Sequence, residues 1–180
     1  MPRIYVASVA DHNRGRLHGV RIDIDDSTQV EEVREKIQAM LSESPSLLSG
    51  EVESAEEYAI HSAEYFGPYK VGVSTPLDEV VLVGGEIFLW GEAFAHWAMH
   101  CADVGTAVRT FADCYQGEWD DAKSWALGEF GEQNEETFKV YEACEYLSFD
   151  WEAYVTAFKA RGYELFDLSD GTVAVFKPNH

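Results

Sequence analysis

In a chain of 180 residues, 33 Asp and Glu stand against 13 Lys and Arg, a formal net charge of -20 with a pI near 4.4. Ordinary nucleic-acid binders and proteins that dock on anionic membranes attract phosphates with clustered Lys and Arg, so this balance excludes both. Hydrophobic residues at 46% and aromatics at 13% allow a packed core, so the acidity is not that of a disordered tail.

Ile4 to Val9 is rich in branched and aromatic residues, and Val20, Ile22 and Ile24 alternate with Arg21, Asp23 and Asp25. Both runs read as strands, the second with one wet face, joined by a turn at Asp11 to Gly15. Thr28 followed by Glu31 has the form of a capping box, and Val30, Val33, Ile37 and Leu41 recur at helical spacing up to Ser44-Pro45. Ser42 to Gly50 reads as a mobile connection. A third strand is expected near Glu57 to Ser62, before the Gly67-Pro68 break.

From Pro76 the period lengthens. Phe94, Trp97, Ala98 and Cys101, then Val104, Ala107, Val108, Phe111 and Tyr115, predict two helices flanking a turn near Asp103. Gly84-Gly85 after Val80 to Val83 reads as a turn, since the full phosphate-loop patterns are missing. Trp119, Ala122, Ala126 and Phe130 predict another helix, as do Phe138, Tyr141, Cys144 and Leu147. Asp150 suits the N-cap of a helix bearing Trp151, Tyr154, Val155 and Phe158, which Gly162 ends. Asp170-Gly171 between two alternating apolar runs is the strongest hairpin signal in the chain.

Chemistry-bearing motifs are few. Cys101, Cys114 and Cys144 lack any CxxC spacing, which favours a reducing cytoplasm over a disulfide framework. The N-terminus lacks the order of a secretory signal, and no apolar run reaches the roughly 20 residues of a membrane span. His96 and His100 at i,i+4 with Cys101 could share a zinc ion, but Trp97 stands where a metalloprotease needs Glu, and a packed pair is the plainer reading. The expectation is no metal, no cofactor and no catalytic site. Arg14, Arg16 and Arg21 form the one basic cluster, whose default role is pairing with nearby acids.

The acids carry more information. Residues 1 to 50 have a net charge of -2 and residues 51 to 180 one of -18; residues 111 to 152 hold twelve acids against Lys123 and Lys139. Many of these acids are three or four apart, where like charges on one helix repel by a few tenths of a kcal/mol each. Candidate partner-binding acids are Glu118, Asp120, Asp121, Glu129, Glu132, Glu135, Glu136, Glu142, Glu145, Asp150 and Glu152. Repulsion retained at such density suggests another use, one being imitation of nucleic acid; the competing reading, which composition alone favours, is a merely acidic, salt-adapted protein. Duplex DNA carries one charge per about 1.7 Å, so a charge of -20 matches roughly 34 Å, or about ten base pairs. Acids on one helix are spaced roughly 5 to 6 Å apart, so that density requires several helices in an elongated body.

Four ordered segments resemble the ArdA family of antirestriction proteins. PRIYVASVADHNRGRLHGVRIDI at 2 to 24 is similar to the family's opening strand, turn and strand; AEEYAIHSAEYFG at 55 to 67 is similar to its E-E-[WY]-A-I-H-D segment. GEAFAHWAMHCADVGTAVRTFADCYQGEWDDAKSWA at 91 to 126 and FDWEAYVTAFKARGYELFDLSDGTVAVF at 149 to 176 resemble its central helix and its closing helix with hairpin. Ser62 departs from the usual Asp, Arg21 from a common aromatic, and 42 to 54 looks like an extension.

The resemblance implies a non-enzymatic protein of mobile elements, a homodimer, whose carboxylates stand in for phosphates in the DNA-binding groove of type I restriction-modification enzymes. It implies an elongated α+β fold of three small domains. These are an N-terminal domain at 1-73 with a three-stranded antiparallel sheet and one helix, a central helical domain at 74-113, and an acidic C-terminal domain at 114-180 with helices and a terminal hairpin or small sheet. The alternative is an acidic adaptor for another basic, DNA-binding protein.

Overall fold

The computed structural model describes residues 1–179, which separate by their internal contacts into two compact units, Met1–Val108 and Arg109–His180. Helix and strand are mixed in both, as the sequence predicts.

Unit 1 begins with β1 (Arg3–Ser8), the middle strand of an antiparallel sheet ordered β2-β1-β3, with β2 at Gly19–Asp23 and β3 at Tyr58–Glu64. Ile4 pairs with Ile22 and Val6 with both Val20 and Ile60, so the period-two pattern puts branched side chains on one face. Helix α2 (Val30–Ser42) covers that face with Val33, Ile37, Met40 and Leu41, all buried. The Thr28–Glu31 capping box does not form: Gln29 is the N-cap without a side-chain bond, and the Thr28 hydroxyl instead donates to the Asp25 carboxylate at 2.9 Å.

The 42–50 stretch is built, not loose. Short helix α1 (Val9–His12) carries Asp11 into the interior, where its carboxylate accepts from the Ser44 hydroxyl at 2.6 Å and the Ser46 amide at 2.9 Å. Ser44 in turn caps α3 (Pro45–Leu48), with Pro at the first helical position. Burial alone would raise the Asp11 pKa, but the bonds from Ser44, Ser46 and Ser8 outweigh it and hold the carboxyl well below the ordinary range.

Helix α4 (Leu77–Trp90) runs unbroken through Gly84-Gly85, which corrects the expected turn. A Cβ on Gly84 would lie 2.7 Å from Ile24 Cγ2, and one on Gly85 3.3 Å from the Asp25 carbonyl oxygen. The glycines let the segment just after β2 press on the helix; the close approach outweighs their poor helix propensity. Gly91, at φ +66, turns the chain into α5 (Glu92–His100), which buries Ala93, Phe94, Ala95, Trp97 and Ala98. Helix α6 (Val104–Cys114) follows the turn at Asp103.

Unit 2 contains a strand that periodicity misses. β4 (Tyr115–Trp119) is one edge of an antiparallel sheet ordered β4-β6-β5, with β5 at Glu164–Asp167 and β6 at Val173–Phe176. Five residues between two helical patterns blend into both, which hides β4. The hairpin turns at Asp170-Gly171 as expected, with Gly171 at φ +91 and the Asp170 carboxylate accepting from the Thr172 amide at 2.9 Å. Helices α7 (Ala122–Gln133), α8 (Glu135–Ala143) and α9 (Trp151–Lys159) accompany this sheet. Their core is aromatic: Trp125 meets Phe158 edge-on at 5.3 Å and Phe130 meets Trp151 edge-on at 5.8 Å, beside Val173 and Val175.

Candidate acidic binding surface

The eleven acids singled out in the sequence all fall in unit 2, and ten are exposed; Glu129 is half-buried. Their local settings differ. Asp121 and Asp150 are helix N-caps, accepting from the amides of Ser124 at 2.6 Å and Ala153 at 2.9 Å. The bonds from Ser124 lower the pKa of Asp121. Glu135 meets Lys139 at 2.5 Å across one turn of α8, and Glu129 accepts from the Gln133 side chain. Glu118 projects from β4 beside Tyr115, whose phenol is pushed up to about 12 by burial and then by that carboxylate.

Asp120, Glu132, Glu136, Glu142, Glu145 and Glu152 remain, exposed and without a cation within ion-pair distance among the described residues. Their arrangement departs from a row along one helix. Glu129 and Glu132 do share α7 at i,i+3, but Asn134 breaks the chain between α7 and α8, and Glu145 lies beyond the end of α8 at Ala143. Charges expected along helical faces are therefore spread over a strand, three helices and the segments between them.

Sequence reasoning placed the site in unit 2 and overlooked unit 1. Unit 1 holds eighteen acids against seven Lys and Arg, unit 2 fifteen against six. Glu51, Glu53, Glu56 and Glu57 are exposed just before β3, and Glu31, Glu32 and Glu35 are exposed on α2. Four acids within seven residues at 51–57 were a legible signal, masked by the larger total further along. Several unit 1 acids are paired: Glu51 receives Arg16 at 2.7 Å and Arg14 at 3.6 Å, and Glu31 and Glu32 receive Arg34 at 3.0 Å and Lys36 at 2.7 Å. Arg14 and Arg16 thus take the pairing role expected of them.

His96 lies 3.5 Å from Glu92 and His100 stacks on Trp97 at 5.3 Å. Among the described residues no three His, Cys, Asp or Glu side chains gather in a way that could hold a metal. No described helix is long and apolar enough to cross a membrane.

The family model for antirestriction protein (ArdA) matches residues 4–171. The chain belongs to the ArdA antirestriction family. No curated protein sequence matches it. The family match spans both units, from β1 through the β5–β6 turn, so the acidic residues singled out in each lie within the matched region. Membership of an antirestriction family implies binding to restriction enzymes.

Proposed function

We propose that this ArdA protein is a DNA mimic that occupies the DNA-binding groove of a type I restriction-modification enzyme, at its methyltransferase core. The observation that carries the reading is the set of exposed carboxylates in unit 2 with no cation beside them among the described residues: Asp120, Glu132, Glu136, Glu142, Glu145 and Glu152. Carboxylates on a surface that serves only solubility are commonly interspersed with Lys and Arg. Left unpaired, they offer the enzyme's phosphate-reading Arg and Lys the anions they are arranged to meet, and association is fast and salt-sensitive.

The capping acids Asp121 and Asp150 contribute charge while holding their helices, so each has two roles. A homodimer would double the charge to -40 and the matched length to roughly twenty base pairs. Within this reading the chain works as three segments, 1-73, 74-113 and 114-180, and acts in the cytoplasm, where the restriction enzyme meets incoming DNA.

The test is competition. Duplex DNA added to a complex of the protein with a type I methyltransferase core displaces the protein, and reversing Glu132, Glu136, Glu142 and Glu145 together weakens the complex cumulatively. Simultaneous binding of DNA and protein would overturn the reading. Capture of a different DNA-binding protein at low salt, with no affinity for the methyltransferase core, would favour an acidic adaptor instead.

A further inference from the structure

Unit 1 contains a groove that phosphate imitation does not explain. It lies between α4 and the segment leading into α2 and has a volume of about 340 Å³. Its floor is apolar: Val81, Leu82 and Leu89 of α4 line it, with Leu82 42% and Leu89 53% exposed. Its rim is anionic, formed by Asp25, Asp26, Asp78 and Glu86. Glu31, also on the rim, is taken by Arg34 at 3.0 Å, and Asp25 accepts from the amide and hydroxyl of Ser27 at 3.0 and 2.8 Å. Asp26 and Asp78 have no cation beside them among the described residues. Burial raises the pKa of Glu86, so its charge is held there at a cost that a partner's cation would relieve.

We propose that this groove docks a basic amphipathic segment of the restriction enzyme, with an apolar side chain resting on Leu82 and Leu89 and a flanking Lys or Arg meeting Asp26 and Asp78. The inference rests on the antirestriction reading and deepens it. A duplex backbone offers phosphates and no apolar floor, so this contact would let the inhibitor hold the enzyme in a way that DNA does not. Charge complementarity selects the occupant. A second copy of this chain would bring a further net charge of -20 to an anionic rim, whereas a groove built for DNA is lined with Lys and Arg.

The test compares affinities of full-length variants for the type I methyltransferase core at low and high salt. Leu82→Ser with Leu89→Ser lowers affinity about tenfold, by a similar factor at both salt concentrations, since apolar contact is not screened. Asp26→Asn with Asp78→Asn lowers it mainly at low salt. Both leucines are exposed, so an unchanged urea midpoint is expected for the first variant, and Leu89→Met retains binding. Wild-type affinity in the leucine variant would overturn this inference and leave mimicry standing, whereas a wild-type protein that does not bind the core at all would overturn both. A change of oligomeric state in the leucine variant would show that a second copy fills the groove, and would overturn it too.

Discussion

Unit 1 packs a sheet of aliphatic side chains under α2 and ties its loops through one buried carboxylate, whereas unit 2 is held by interlocking rings and keeps most of its carboxylates outside. The acids of unit 1 meet Arg and Lys at several positions; in unit 2 the ion pair described is Lys139 with Glu135. Exposed pairs of this kind add little stability. What they change is how much charge is left for a partner. Unit 2 therefore offers the more open anionic surface.

Substitutions can test that contrast. The largest effect is expected from Trp125→Ala, which removes the ring that meets Phe158 and Tyr163. A loss of about 3 to 5 kcal/mol by chemical denaturation is expected, and a loss below about 1 kcal/mol would show that aromatic interlock is not what holds unit 2. Next comes Asp11→Ala, which leaves Ser44 and the Ser46 amide without their acceptor and costs about 2 to 3 kcal/mol.

The pH dependence of Asp11 has a definite sign. Its folded pKa is depressed below the ordinary 3.8, so its stabilisation is fully present above that value and is lost as the pH falls towards the folded pKa. Wild type should therefore lose stability below about pH 4 more steeply than Asp11→Asn. Parallel acid titrations followed by urea midpoints check this, and identical slopes would contradict the account of the hub.

A smaller effect follows from Gly84→Ala. The added Cβ meets Ile24, and the repacking costs about 1 to 2 kcal/mol despite the gain in helix propensity. Stabilisation instead would mean that β2 and α4 can separate without penalty. The smallest effect is reserved for single neutralisations such as Glu142→Gln, for which neither the denaturation midpoint nor the affinity for a methyltransferase core should change measurably. One such change that abolished binding would replace distributed charge with a hot spot.

The strands, the long helices and the hairpin were legible because each repeats its signal over several residues: Val20 and Ile22 in β2, Val33 and Ile37 in α2, and Asp170-Gly171 between β5 and β6. What escaped depends on contacts distant in sequence. Ser44 and Ser46 look like loop residues until Asp11 arrives from 33 and 35 positions away. Gly84-Gly85 looks like a turn until Ile24 is seen against it, and Tyr115 looks like the last turn of a helix until Phe176 pairs with it across the sheet. For the acids, identity and exposure were legible and mutual arrangement was not, because the breaks at Asn134 and after Ala143 decide which of them share a face.

The order of strands bears on how the chain comes together during synthesis. In unit 1 the middle strand, β1, is made first and can pair with β2 once some twenty residues exist, since its register runs from Arg3 opposite Asp23. In unit 2 the middle strand is β6, the last of the six to leave the ribosome, and all four of its residues are buried. Until it emerges, β4 and β5 have nothing to join them, and the ring cluster lacks Val173 and Val175. Unit 2, with a net charge of -9 over 72 residues against -11 over 108 in unit 1, is thus the one that must wait.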